Sequence, residues 1–95
     1  MVTGVNGYDQ TGVEFNFYPN PIKRKVTFEY SLENGTEVEL TIFDAMGRQL
    51  EIVVNGYRAS GIYREEFDAS ALKCGIYFCR LKTHGLTYSL KMIKN

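Results

Sequence analysis

Few side chains in this sequence could do covalent chemistry. The thiols and imidazole are Cys74, Cys79 and His84. Five residues of near-extended chain separate the cysteines, a span of about 16 Å. A disulfide needs Cα atoms within about 7 Å, so both read as free thiols filling apolar space. They lack the C-x-x-C spacing or neighbouring base of a redox or catalytic site. His84 precedes Gly85 in a tight turn, and no His, Cys and carboxylate grouping has zinc spacing. Asp44 and Asp68 are isolated turn carboxylates, short of a calcium cage. Glu65 and Glu66 are neighbours in a strand pattern, so they face opposite ways and make no acid–base pair. No glycine-rich phosphate loop is present. The sequence therefore predicts no enzyme, no cofactor and no metal; its information lies in its turns.

The principal turn is the corner in residues 68–81. Asp68 and Ser70 can bond nearby backbone amides, and Leu72 can plug the corner into a core. Gly75 then releases the chain into a strand of β-branched, aromatic and aliphatic residues. A strand apolar on both faces belongs inside a sheet.

The remaining strands are arranged around this one. Residues 1–12 are polar and glycine-rich, with Gly4, Gly7 and Gly12, and predict a flexible linker or added arm. Val13, Phe15 and Phe17 share one face of a first strand, stopped by Pro19-Asn20-Pro21 at a sheet edge. The run Lys23-Arg24-Lys25 reads as a solvated loop. Val26, Phe28, Tyr30 and Leu32 alternate with polar residues, and Asn34-Gly35 turns the chain into a second alternating strand with Val38, Leu40 and Ile42. Asp44 and Gly47 shape the next turn. A fourth strand is expected from Gln49, ending at Asn55-Gly56, with residues 57–60 as a loop. A fifth runs from Gly61 into the corner. After His84-Gly85 comes a seventh, with Leu86, Tyr88, Leu90 and Met92 facing inward and Lys91 and Lys94 accessible. Seven short strands without a helical period predict an all-β, seven-stranded antiparallel immunoglobulin-like sandwich over residues 13–95.

Ninety-five residues make one domain. Such a chain buries about 60 to 65% of its unfolded surface, enough for a thin two-layer core. Zero net charge argues against a nucleic-acid or anionic-membrane binder, which needs a basic surplus. The start lacks the basic and apolar runs of a signal peptide, and no stretch approaches the ~20 apolar residues of a membrane helix. Met1-Val2-Thr3 followed by a linker suggests a piece of a longer chain.

The ordered turns resemble one known family. Tyr18-Pro19-Asn20-Pro21, Phe43-Asp44-Ala45-Met46-Gly47-Arg48, and Asn55-Gly56-Tyr57 through Gly61 come first. Asp68-Ala69-Ser70-Ala71-Leu72, Gly75-Ile76-Tyr77-Phe78 with Arg80-Leu81, and the ending Lys91-Met92-Ile93-Lys94-Asn95 follow. Together they resemble the C-terminal sorting domain of the type IX (Por) secretion system, type A. Cys74 and Cys79 depart from that pattern, standing where the family usually has a small and a bulky residue respectively, and disturb no turn.

The resemblance implies an upstream cargo domain in the parent chain, periplasmic transit, and recognition by the type IX translocon and its shuttle proteins. It also implies removal at the cell surface by a sortase-like cysteine peptidase, with the cargo joined to anionic lipopolysaccharide. Cleavage is then expected in the linker holding Gly4, Gly7 and Gly12, and recognition at Leu90, Lys91, Met92, Ile93 and Lys94. Pro19, Asn20, Pro21, Asp44, Gly47, Arg48, Asp68, Leu72, Gly75 and Tyr77 would serve as the family's turn residues. Free sheet edges and exposed aromatics allow a weak homodimer. The alternatives are a carbohydrate-binding or adhesive module stacking sugars on Tyr57, Tyr63 and Phe78, and a structural immunoglobulin-like domain of the hook-capping kind.

Overall fold

The computed structural model describes residues 13–95, so the expected linker with Gly4, Gly7 and Gly12 lies outside the described residues. The strands are β1 (Val13–Tyr18), β2 (Lys25–Leu32), β3 (Thr36–Asp44), β4 (Gln49–Arg58), β5 (Gly61–Asp68), β6 (Gly75–Thr83) and β7 (Leu86–Lys94). They form a three-stranded sheet, β1-β2-β5, and a four-stranded sheet, β4-β3-β6-β7. All neighbours are antiparallel. The chain changes sheet after β2, β4 and β5, as an immunoglobulin-like sandwich requires.

Period-two alternation places the core. Phe15, Val26, Phe28 and Tyr30 point in from one sheet, and Leu40, Ile42, Cys79, Leu81 and Met92 from the other, all essentially without solvent contact. Tyr30 stacks on Tyr63 with ring centroids 5.3 Å apart. Burial, and next the Glu65 carboxylate, push the Tyr30 phenol up to about 12. As expected of its two-sided apolar character, β6 is an interior strand, between β3 and β7.

The structure differs at the end of the fourth strand. Asn55-Gly56 does not stop it; β4 continues to Arg58, taking in two residues of the expected loop. The long partner β3 imposes the register, pairing Val38 with Gly56 and Glu37 with Tyr57. Gly56 holds φ +152° there, which a side chain would resist. Leu86 has the inward parity but lies at the strand's open end, 38% exposed.

Candidate functional site

Strand direction alternates along the chain, so the turn motifs after β1, β3 and β5 and the end of β7 share one pole, and the motif from Asn55 to Gly61 lies at the other. Tyr18 pairs with Thr27 near the start of β2, and Lys25 pairs with Asp68. On the other sheet Asp44 pairs with Tyr77, and Gly75 with Lys94. Pro19, Asn20 and Pro21, the Asp44 turn, the Asp68 corner and the end of β7 therefore share the first pole. The Asn34-Gly35 turn and the His84-Gly85 hairpin lie at the other, where the His84 amide donates to Thr36 Oγ1 at 3.3 Å. Asn34-Gly35, a hairpin signal in the sequence, instead carries the chain from β2 across to β3 in the other sheet, because β2 is already flanked by β1 and β5.

Each turn is held by its own short-range bonds. Asp44 Oδ1 accepts from the amides of Met46 and Arg48, both at 2.9 Å, and Oδ2 from Arg48 Nε at 2.8 Å. These bonds, the Arg48 amide foremost, hold the Asp44 carboxyl below its ordinary range. Gly47 completes the turn at φ +89°, where residues with a Cβ are strained. At the corner Asp68 Oδ1 accepts from the Ser70 amide at 2.9 Å, and Ser70's hydrogen bonds lower that carboxyl too. Ala69 is the corner's fully buried residue, its amide donating to Arg24 O at 2.6 Å, while Leu72 packs half-buried against the core.

Tyr77 has a role that its motif did not disclose. Its hydroxyl donates to Lys73 O at 2.7 Å, tying the start of β6 to the corner. Immunoglobulin-like domains use a tyrosine at this place in the same way. The signal was legible in retrospect: an aromatic with an apolar body and one polar tip, placed just after the corner.

The last strand is an edge, and its five expected recognition residues fall into two groups. Leu90 and Met92 are core residues, whereas Lys91 and Ile93 are exposed. Lys94 corrects the expectation of accessibility. It faces inward, is buried, and its Nζ donates to Leu72 O at 3.1 Å and Asn95 O at 3.2 Å. Strand parity requires this: Lys94 follows Leu90 and Met92 on the inner face, and the corner carbonyl satisfies its ammonium.

Ile22 is the residue that sequence reasoning missed. Only 2% exposed, it runs parallel to the end of β7, its amide donating to Ile93 O at 2.7 Å and its carbonyl accepting from Asn95 N at 2.9 Å. Its one sequence signal was a lone isoleucine between Pro21 and a basic run.

The sugar-platform aromatics are not brought together. Tyr63 leans into the core with its hydroxyl on Ala59 O, Phe78 is half-buried on the other sheet, and Tyr57 alone projects, 61% exposed. On the outer face of the four-stranded sheet, the Arg80 guanidinium lies 4.5 Å over the Phe43 ring. This pair lines a shallow groove of about 280 Å³.

Both cysteines are free. Burial pushes the Cys79 thiol up to about 12, and its Sγ donates to Leu90 O at 3.7 Å. We therefore expect native alkylation to give one adduct, at exposed Cys74, and denatured alkylation to give two; a second native adduct forming as fast as the first would contradict the packing. The raised thiol also favours folding fully below its unfolded value of about 8.5. That contribution fades as pH climbs towards about 12, so stability should fall over that alkaline range.

Comparison with curated proteins gives no match. Among solved structures, the dimeric latent PorU from Porphyromonas gingivalis superposes with a TM-score of 0.64 at 19% identity. The likeness covers 95% of this chain and 10% of that one, so this chain spans about a tenth of its length and shares a fold with that part. The family model described as secretion system C-terminal sorting domain matches residues 16–95, from within β1 to Asn95. Agreement over that length decides the matter: the chain belongs to the family of type IX secretion C-terminal sorting domains, which mark proteins for the cell surface or outside.

Proposed function

We propose that this domain is a folded address label for an upstream cargo in the same chain. The cargo crosses to the periplasm by its own export signal. There the type IX translocon and its shuttle proteins read the pole that joins the Asp68 corner, the proline turn and the last strand. A sortase-like cysteine peptidase then removes the label at the cell surface, cutting in the linker that holds Gly4, Gly7 and Gly12.

The observation that carries this reading is the sorting-domain match over residues 16–95, whose last strand is tied to the corner through Lys94 on Leu72 O and to the proline turn through Ile22 on Ile93 and Asn95. In an antiparallel sandwich alternate turns share a pole of necessity, so these ties, and not the shared pole alone, mark it out.

A fusion tests it. The full chain is attached to a fluorescent protein carrying an N-terminal export signal and expressed in a type IX-competent cell. Surface fluorescence with loss of the label's mass is the expected result. Fluorescence held in the periplasm, with the label folded and intact, would refute the proposal.

A further inference from the structure

The edge of β7 is divided into a covered part and an open part. Ile93 O and Asn95 N–H face away from β6, because both are bonded to Ile22. Pairing with β6 runs without a bulge from Gly75 with Lys94 to Thr83 with Leu86. In an antiparallel ladder, residues two apart turn their N–H and C=O groups to the same side. Thr87, Ser89 and Lys91 therefore direct theirs outward as well. Among the described residues, the Ile22 bridge is the one backbone pairing on that side, and it lies beyond Lys91. The open stretch is residues 87–91, long enough for an added strand of about 17 Å. Ile22 stops such a strand from sliding further along the edge.

Charge selects the occupant. The chain is neutral, yet its charges are segregated. The β6–β7 hairpin carries Arg80, Lys82, Lys91 and Lys94 and no Asp or Glu. Lys23-Arg24-Lys25 follows directly on Ile22. A second copy pairing along this edge would bring two wholly cationic hairpins together. A chain bearing carboxylates meets opposite charge instead.

We infer that residues 87–91 accept an extended acidic segment of a partner protein as an added strand, with Lys91 meeting its carboxylates. Backbone rungs supply the binding and the cations select the sequence. The inference rests on the sorting reading above for its biological setting and moves recognition from Lys94, which is buried, to the outward positions before it.

The direct probe is a blocked seven-residue peptide of alternating Glu and Val, titrated into the 15N-labelled chain, with the Lys and Val peptide as control. Shifts concentrated at the Thr87, Ser89 and Lys91 amides are expected, weakening with salt. Ser89→Pro removes one outward amide that β6 does not use, a change edge strands tolerate. Lys91→Glu reverses charge at an exposed side chain. Each variant, folded as judged by its spectrum, should weaken binding about tenfold. Equal binding of the Lys peptide, or binding untouched by both variants, overturns the inference. Dilution-dependent shifts at these amides without peptide would make a second copy the occupant and overturn it too, as would binding only to phosphatidylglycerol vesicles. The fusion assay separates the two levels. Wild-type export with loss in both variants supports strand addition; wild-type levels in both overturn the open window and leave the sorting reading standing. Failure of the wild-type fusion overturns the sorting reading, while the titration still decides whether the edge binds acidic strands.

Discussion

Leu81→Ala is expected to lower the free energy of unfolding by about 3–5 kcal/mol. Leu81 has no solvent contact and sits on β6, between Leu40 of β3 and Tyr88 of β7. Removing its branched end leaves a cavity on an interior strand that both neighbours hold in register, so collapse around it is limited. A domain of this size has only about 5–14 kcal/mol in all. The variant therefore loses a large share of its stability, and its urea midpoint should fall steeply with little change in slope. Ile62→Ala is the control. Ile62 is 67% exposed on an edge strand, and its truncation should stay within about 0.5 kcal/mol. A loss at Leu81 no larger than at Ile62 would mean that β6 is not the packed centre of the sandwich. The result also bears on sorting. If a folded pole is what the translocon reads, export of a fused cargo should fall with the folded fraction of Leu81→Ala and be unaffected in Ile62→Ala.

Local patterns made the strands legible, and pairing decided where they end. Alternation at Val26, Phe28, Tyr30 and at Val38, Leu40, Ile42 gave the inward faces directly, because side-chain direction in a strand has period two whatever the partner. Gly47 and Asp68 were readable because their turns are held by bonds within a few residues. Asn55-Gly56 failed for the opposite reason. Its turn preference is worth little against the ladder to Glu37 and Val38, which lies some twenty residues away. Lys94 failed because residue type was given more weight than parity. A lysine ending an alternating strand keeps the direction its position dictates, and here a carbonyl of the corner waits for it. Ile22 could not be read locally at all, since its partner is the end of β7, at the far end of the sequence.

Deleting residues 91–95 is expected to abolish surface delivery of a fused cargo while the cargo itself stays folded in the periplasm. Two losses coincide in that deletion. Met92 is a core residue, 1% exposed, and its removal alone should cost about 2–5 kcal/mol. The deletion also strips Lys94 from Leu72 O, frees Ile22 from Ile93 and Asn95, and leaves the first residues of β6 without their partners. Recognition and stability must therefore be separated. Met92→Ala takes the packing and keeps the backbone edge, whereas Lys91→Glu keeps the packing and changes the exposed surface. If export follows the folded fraction across all three variants, the label is read as an intact pole. If Lys91→Glu blocks export at wild-type stability, the outer side of the last strand is itself the address. Normal surface delivery of the deleted fusion would remove the last strand from the sorting signal altogether. The corner and proline turn would then have to act without the strand that they hold in place, and the buried Lys94 ammonium would be left with a purely structural purpose.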